Sequence, residues 1–192
     1  MKKFKLSTSI IIIVVSVALI VGVFWLVLNR NAKDDEPTDV QISAVQNVLL
    51  RNMENDYPPT PKEVLKYYSD ITQCFYAGGY TDEELEQLAL RAWELYDKDL
   101  QANQDYAMYL EDLKAEIESY KEKDWTISSY STSASTDVEE FERDGDEWAQ
   151  LYAFYNVRQS TQIVKVTELF LMRKDEAGHW KIYGWQLANP EE

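Results

Sequence analysis

The chain has 192 residues, one cysteine, one histidine and a formal net charge of −15. From residue 34 onward 14 basic side chains stand against 34 acidic ones, a net −20 that argues against electrostatic binding of nucleic acid, anionic lipid or anionic wall polymer. Cys74 on its own cannot form an internal disulfide, so stability has to come from a core, and about 160 residues after the apolar start suffice for one domain.

Ile10 to Leu28 are nineteen consecutive positions without a charge. As a helix they would reach about 28 Å, near the thickness of a bilayer's hydrocarbon core. The run is longer than a signal-peptide core, and Asn29-Arg30-Asn31-Ala32 has no small-x-small cleavage pattern, so an uncleaved anchor is expected. Lys2, Lys3 and Lys5 against Arg30 and Lys33 favour a cytoplasmic N-terminus. The expected order is a cytoplasmic tail over 1–9, a transmembrane helix over 10–28, a tether and stalk helix over 29–57, and an extracytoplasmic domain over 58–192 of a single-pass cell-membrane protein.

Helices come next. Thr38 with Gln41, Thr60 with Glu63, and Thr81 with Glu84 have capping-box spacing. The first helix is expected to end near Asn52, burying Val45, Val48 and Leu49. The second runs from Pro61 to about Tyr76 on a stripe of Val64, Tyr68, Ile71 and Phe75, stopped by Gly78-Gly79. The third carries Leu85, Leu88, Ala92, Leu95 and Tyr96. The fourth opens near Asn103 and carries Tyr106, Leu110, Leu113, Ile117 and Tyr120. Cys74 reads as a small buried hydrophobe on the second helix.

Past Lys123 the period shortens to that of strands. Trp125–Ser133 is followed by a hairpin around Asp144-Gly145, with Ala149, Leu151, Ala153, Tyr155 and Val157 facing one way. Gln162–Lys174 turns Val164, Val166, Phe170 and Met172 to one face, and Trp180–Leu187 is the last strand. Helices followed by an antiparallel meander predict an α+β domain.

The hairpin Arg143-Asp144-Gly145-Asp146, the strand start Gly145-Asp146-Glu147-Trp148-Ala149 and the closing Gly178-His179-Trp180-Lys181-Ile182 resemble the NTF2-like (SnoaL-like, cystatin-like) superfamily over roughly Pro58 to Leu187. That resemblance implies a curved antiparallel β-meander wrapped around helices as a cone with an apolar mouth. Tyr57 to Val64 and Tyr80 to Leu85 also resemble single-span proteins of Gram-positive gut bacteria, a family that carries no assigned activity.

Enzymes of the superfamily hold an acid or base inside the cone, and the cone-facing candidates here are Tyr68, Tyr152, Tyr155, Glu168 and Tyr183, with Asp70 beside them. Glu168 stands out, a charge on the face that also carries Val164, Val166, Phe170 and Met172. Tyrosines at such spacing are more often core residues with a satisfied hydroxyl. No catalytic residue, metal or cofactor is expected; Asp144, Asp146 and Glu147 lack calcium-loop spacing. The leading expectation is a non-catalytic binding or assembly domain with a protein partner or self-association. The alternatives are an enzyme or small-ligand sensor using the cone, and a conjugation-channel component of the VirB8 type, similar in layout alone. A buried Glu168 beside tyrosines would favour the pocket; an exposed one would favour assembly.

Overall fold

The computed structural model describes residues 43–188. The expected span at 10–28 and the Thr38–Gln41 cap lie outside them. Among the described residues no helix is long and apolar enough to cross a membrane.

Helix α1 (Ala44–Leu49) opens at Ser43, whose hydroxyl accepts from the Gln46 N–H while the Gln46 side chain accepts from the Ser43 N–H. Val45 and Val48 are buried in the core, and the Val48 carbonyl accepts from the Tyr67 hydroxyl at 2.9 Å. Tyr57 in the following loop donates to the Trp180 carbonyl at 2.8 Å. A domain boundary at residue 58 is therefore corrected: the later part of the expected stalk is built into the fold, because its apolar side chains complete the core.

Helix α2 (Pro61–Ala77) starts on Thr60 and ends on Gly78, whose φ of 71° an L side chain rarely adopts. The Glu63 carboxylate meets the Thr60 hydroxyl instead of its N–H, so only half of that capping box forms. At α3 (Asp82–Glu94) both halves form, between Thr81 and Glu84. A short helix outside the sequence reading, α4 (Lys98–Gln101) capped by Asp97, precedes the expected fourth helix, α5 (Tyr106–Glu122), which is capped by Asp105. The stripe of α5 read in the sequence faces the core: Leu113 is buried, Tyr106, Leu110, Ile117 and Tyr120 pack half-buried against it, and Tyr109 is buried beside them.

Five strands form one antiparallel sheet: β1 (Trp125–Thr132), β2 (Glu139–Arg143), β3 (Asp146–Gln159), β4 (Gln162–Lys174) and β5 (Trp180–Leu187). The order β1-β3-β4-β5 departs from a simple meander. β1 pairs with residues 153–159 of β3 and β2 with residues 146–150, so the two share one edge of β3. The Asp144-Gly145 turn has positive φ at both positions, 55° and 88°, as a two-residue hairpin requires. The fold is thus α+β, with the helices on the inner face of a curved sheet.

The inner face follows the two-residue period closely. Ala149, Leu151, Ala153, Tyr155 and Val157 on β3 are all buried. On β4 burial fades along the strand: Met172 and Phe170 are sealed, Glu168 and Val166 are half-buried, and Val164 is 38% exposed. Val164 lies on the expected face but beyond the helices that cover it. Phe170 packs edge-on against Tyr68 from α2, ring centroids 5.6 Å apart.

A bulge resets the parity of β5. Met172 pairs with Ile182, but Leu171 pairs with Gly184 and Phe170 with Trp185. The extra residue turns Trp185 inward, where its ring stacks on Phe170 at 5.8 Å and 20°. Tyr183 is left on the outer face against Trp148, at 5.0 Å.

Candidate functional site

The fading burial of β4 opens a cavity of about 330 Å³ between the sheet and helices α2 and α5. From the sheet come Tyr155 and Val157 of β3, Val166 and Glu168 of β4, and Trp185 of β5. Glu168 pairs across β3 with Ala153, whose methyl group leaves room beside the carboxyl, and across β5 with the exposed Leu187. From the helices come Tyr68, Thr72, Phe75 and Tyr76 of α2, and Tyr109, Leu113, Glu116 and Tyr120 of α5. The spacing 109, 113, 116, 120 puts all four α5 residues on one helical stripe.

The floor is aromatic and its hydroxyls are paired. Tyr68 and Tyr96 hydroxyls lie 3.3 Å apart, and Tyr155 and Ser69 hydroxyls 3.0 Å apart, all four side chains buried. Trp185, 41% exposed, closes one side, its ring 5.9 Å from Tyr68 and 5.8 Å from Tyr96.

Glu168 is the chemically distinctive group. Burial, reinforced by the Glu116 carboxylate on the facing helix, pushes its pKa from 4.5 up to about 7. It therefore changes charge close to neutral pH, inside a cavity walled by rings. The tyrosines move the other way from usefulness as bases: burial raises Tyr68 and Tyr155 above their ordinary value, and burial followed by Glu116 raises Tyr76. Cys74 is buried in the core, and desolvation with Asp70 nearby pushes its thiol up to about 11, so it is no thiolate at neutral pH. The sole histidine lies elsewhere, its ring stacked on Tyr57 at 4.3 Å.

Of the residues singled out in the sequence, Tyr68, Tyr155 and Glu168 line this cavity together, while Tyr152 and Tyr183 do not. Tyr152 is three positions from Tyr155 on one strand, so it takes the opposite face, beside Phe154. Tyr183, next to the inward Ile182, points outward, its ring 5.2 Å beneath the Arg173 guanidinium. Asp70 also faces away, accepting from the Tyr130 hydroxyl on the β1 side of α2. Glu116, Tyr109 and Trp185 were not singled out for the cone. Glu116 carried a legible signal, a charge three residues after Leu113 and four before Tyr120 on an otherwise apolar stripe. Trp185 carried none, because its inward turn depends on the bulge.

The chain belongs to the family described as a domain of unknown function (DUF6715), which matches residues 1–185. No curated protein matches it.

Proposed function

We propose that this member of the DUF6715 family is a small-ligand receptor held at the cell membrane. Residues 10–28 span the bilayer with the N-terminus inside, and the described domain, an NTF2-like cone, stands outside and binds its ligand in the cavity around Glu168. The observation that carries this reading is Glu168 itself, a half-buried carboxyl sharing an aromatic cavity with Tyr68 and Tyr155. Desolvating a carboxyl costs free energy, and a ligand that engages it offsets that cost. Binding is favoured over turnover because the Tyr68 and Tyr155 hydroxyls beside Glu168 are paired and poorly acidic, and so are poor proton donors at neutral pH.

The test is a fragment set followed by amide NMR shifts on the folded domain. Binding fragments should perturb the residues around Glu168, and Val166→Trp, which fills the mouth, should abolish those shifts while leaving the rest of the spectrum intact. Shifts scattered over the surface, or unaltered in Val166→Trp, would refute the pocket.

A second reading rests on the outer face of the sheet. Leu169, Leu171 and Tyr183 border a shallow hollow there, and Ile163 on the same face is 61% exposed. Such apolar area suits a protein partner or self-association. Sedimentation of the domain with and without Ile163→Glu separates a self-associating surface from an inert one.

A further inference from the structure

We propose that the ligand of the Glu168 cavity is an organic cation, an ammonium or guanidinium head on a small apolar body. This rests on the receptor reading above and adds the sign of the charge. Three observations carry it. First, Glu168 within the cavity and Glu116 on its facing helix are both acidic, and neither forms an ion pair among the described residues. Second, no lysine, arginine or histidine lines the cavity, so an anionic ligand would meet the three carboxylates of Asp112, Glu116 and Glu168 and no counter-charge. Third, the walls are electron-rich rings. Tyr68, Tyr96 and Trp185 converge with centroids within 6.0 Å of one another, an arrangement whose faces attract a cation more strongly than a neutral body of the same shape. The long-range field agrees, since a net −20 beyond residue 33 raises the local concentration of cations.

The groups facing Glu168 set the sign of the pH dependence. They are Glu116, Asp112, Tyr109 and Tyr120 from α5, Tyr68 and Tyr76 from α2, Tyr96 just after α3, and Tyr155 from β3. All are acids or neutral hydroxyls, and none supplies a positive charge. A bound cation therefore favours the ionised Glu168, and a proton leaves as the ligand enters.

The test uses the full chain in bilayer nanodiscs of zwitterionic lipid, with choline and its neutral carbon isostere 3,3-dimethylbutan-1-ol as probes. Indole and amide NMR shifts report the site, Trp185 among them. Choline is expected to saturate the cavity more than about tenfold more tightly than the alcohol, from cation–π attraction plus a charge pair. Its affinity should rise between pH 6 and pH 8. Glu168→Gln should remove both the preference and the pH dependence, and Glu116→Gln, at an exposed position that tolerates change, should weaken the preference in part. If choline and the alcohol bind the cavity alike, the receptor reading stands and the cation inference fails. The same holds if neither binds while other fragments occupy the cavity. If nothing occupies it, both readings fail.

Discussion

Arg173 grips the carboxylate of Asp97 with two nitrogens, Nε donating to Oδ2 at 3.0 Å and Nη2 donating to Oδ1. The two residues are 76 positions apart, and both are shielded from water. Asp97 also caps α4 through the Asp99 N–H at 2.8 Å, and its own N–H donates to the Ile182 carbonyl at 2.8 Å. Around the guanidinium stand the rings of Trp148 and Tyr183, at 5.4 and 5.2 Å. One buried carboxylate thereby joins the helical layer to β4 and β5.

Removing one partner of such a pair leaves the other charge shielded from water and short of its main compensation. Asp97→Ala should cost about 3 kcal/mol, the lower end of the range for buried pairs, because Asp99 still reaches Arg173 at 2.8 Å. Asp99→Ala, at a half-exposed site, should cost less than about 1 kcal/mol. Urea midpoints compare the two. Equal losses would show that the buried carboxylate has no privileged role.

Glu168→Gln should stabilise the domain, in a pH-dependent way. Below the ordinary pKa of 4.5 the folded and unfolded chains both hold the proton, and the ionisation penalty is absent. As pH rises from 4.5 to about 7 the unfolded chain releases its proton first, and the folded state loses stability. The full shift corresponds to about 3 kcal/mol, reduced to about 2 kcal/mol by residual contact with water. Denaturation at pH 8 should favour the Gln variant by that margin, and the gap should close at pH 4. A gap independent of pH would mean that the carboxyl is solvated in the folded state.

Phe170→Ala should cost about 3–5 kcal/mol, a large share of a domain's total stability of about 5–15 kcal/mol. Phe170 is fully buried, and its ring meets both Tyr68 and Trp185. Calorimetric unfolding of the variant checks it. A loss below about 1 kcal/mol would mean that neighbours close over the space, contrary to the packing density expected here.

Cells expressing the chain with a C-terminal tag should retain the full-length product in the membrane fraction, with the tag accessible to protease from outside. The uncharged run from Ile10 to Leu28 motivates this. A shortened, freely soluble product would show cleavage instead.

Most of the fold could be read from periodicity. The alternation on β3 survives intact in the structure, since every second residue from Ala149 to Val157 is buried. Helix α2 was equally plain, because Thr60-Pro61 and Gly78 punctuate it. Local pattern could not show that β1 and β2 share an edge of β3, which is a non-local pairing. Nor could it show that Tyr109 joins the inward stripe of α5, where its ring packs against Trp93 and Tyr96. For the site, Glu168 was legible as a charge on an apolar face. Tyr152 was counted with the cone although strand parity sets it opposite Tyr155, and the bulge parts Tyr183 and Trp185, which a regular strand would keep on one face.

The bulge sets how the cavity wall answers to a change of chain length, as distinct from a change of side chain. Substitution can enlarge, shrink or recharge the pocket by degrees. Deleting Gly184 would instead be expected to absorb the bulge, setting Tyr183 opposite Leu171 and leaving Trp185 opposite Phe170 with its indole still turned inward. The spare residue thus lets the strand lose one position without losing the aromatic wall. Relatives shorter by one residue here would keep the same ring against a ligand, and tryptophan fluorescence of the deletion variant would show whether the indole has kept its place.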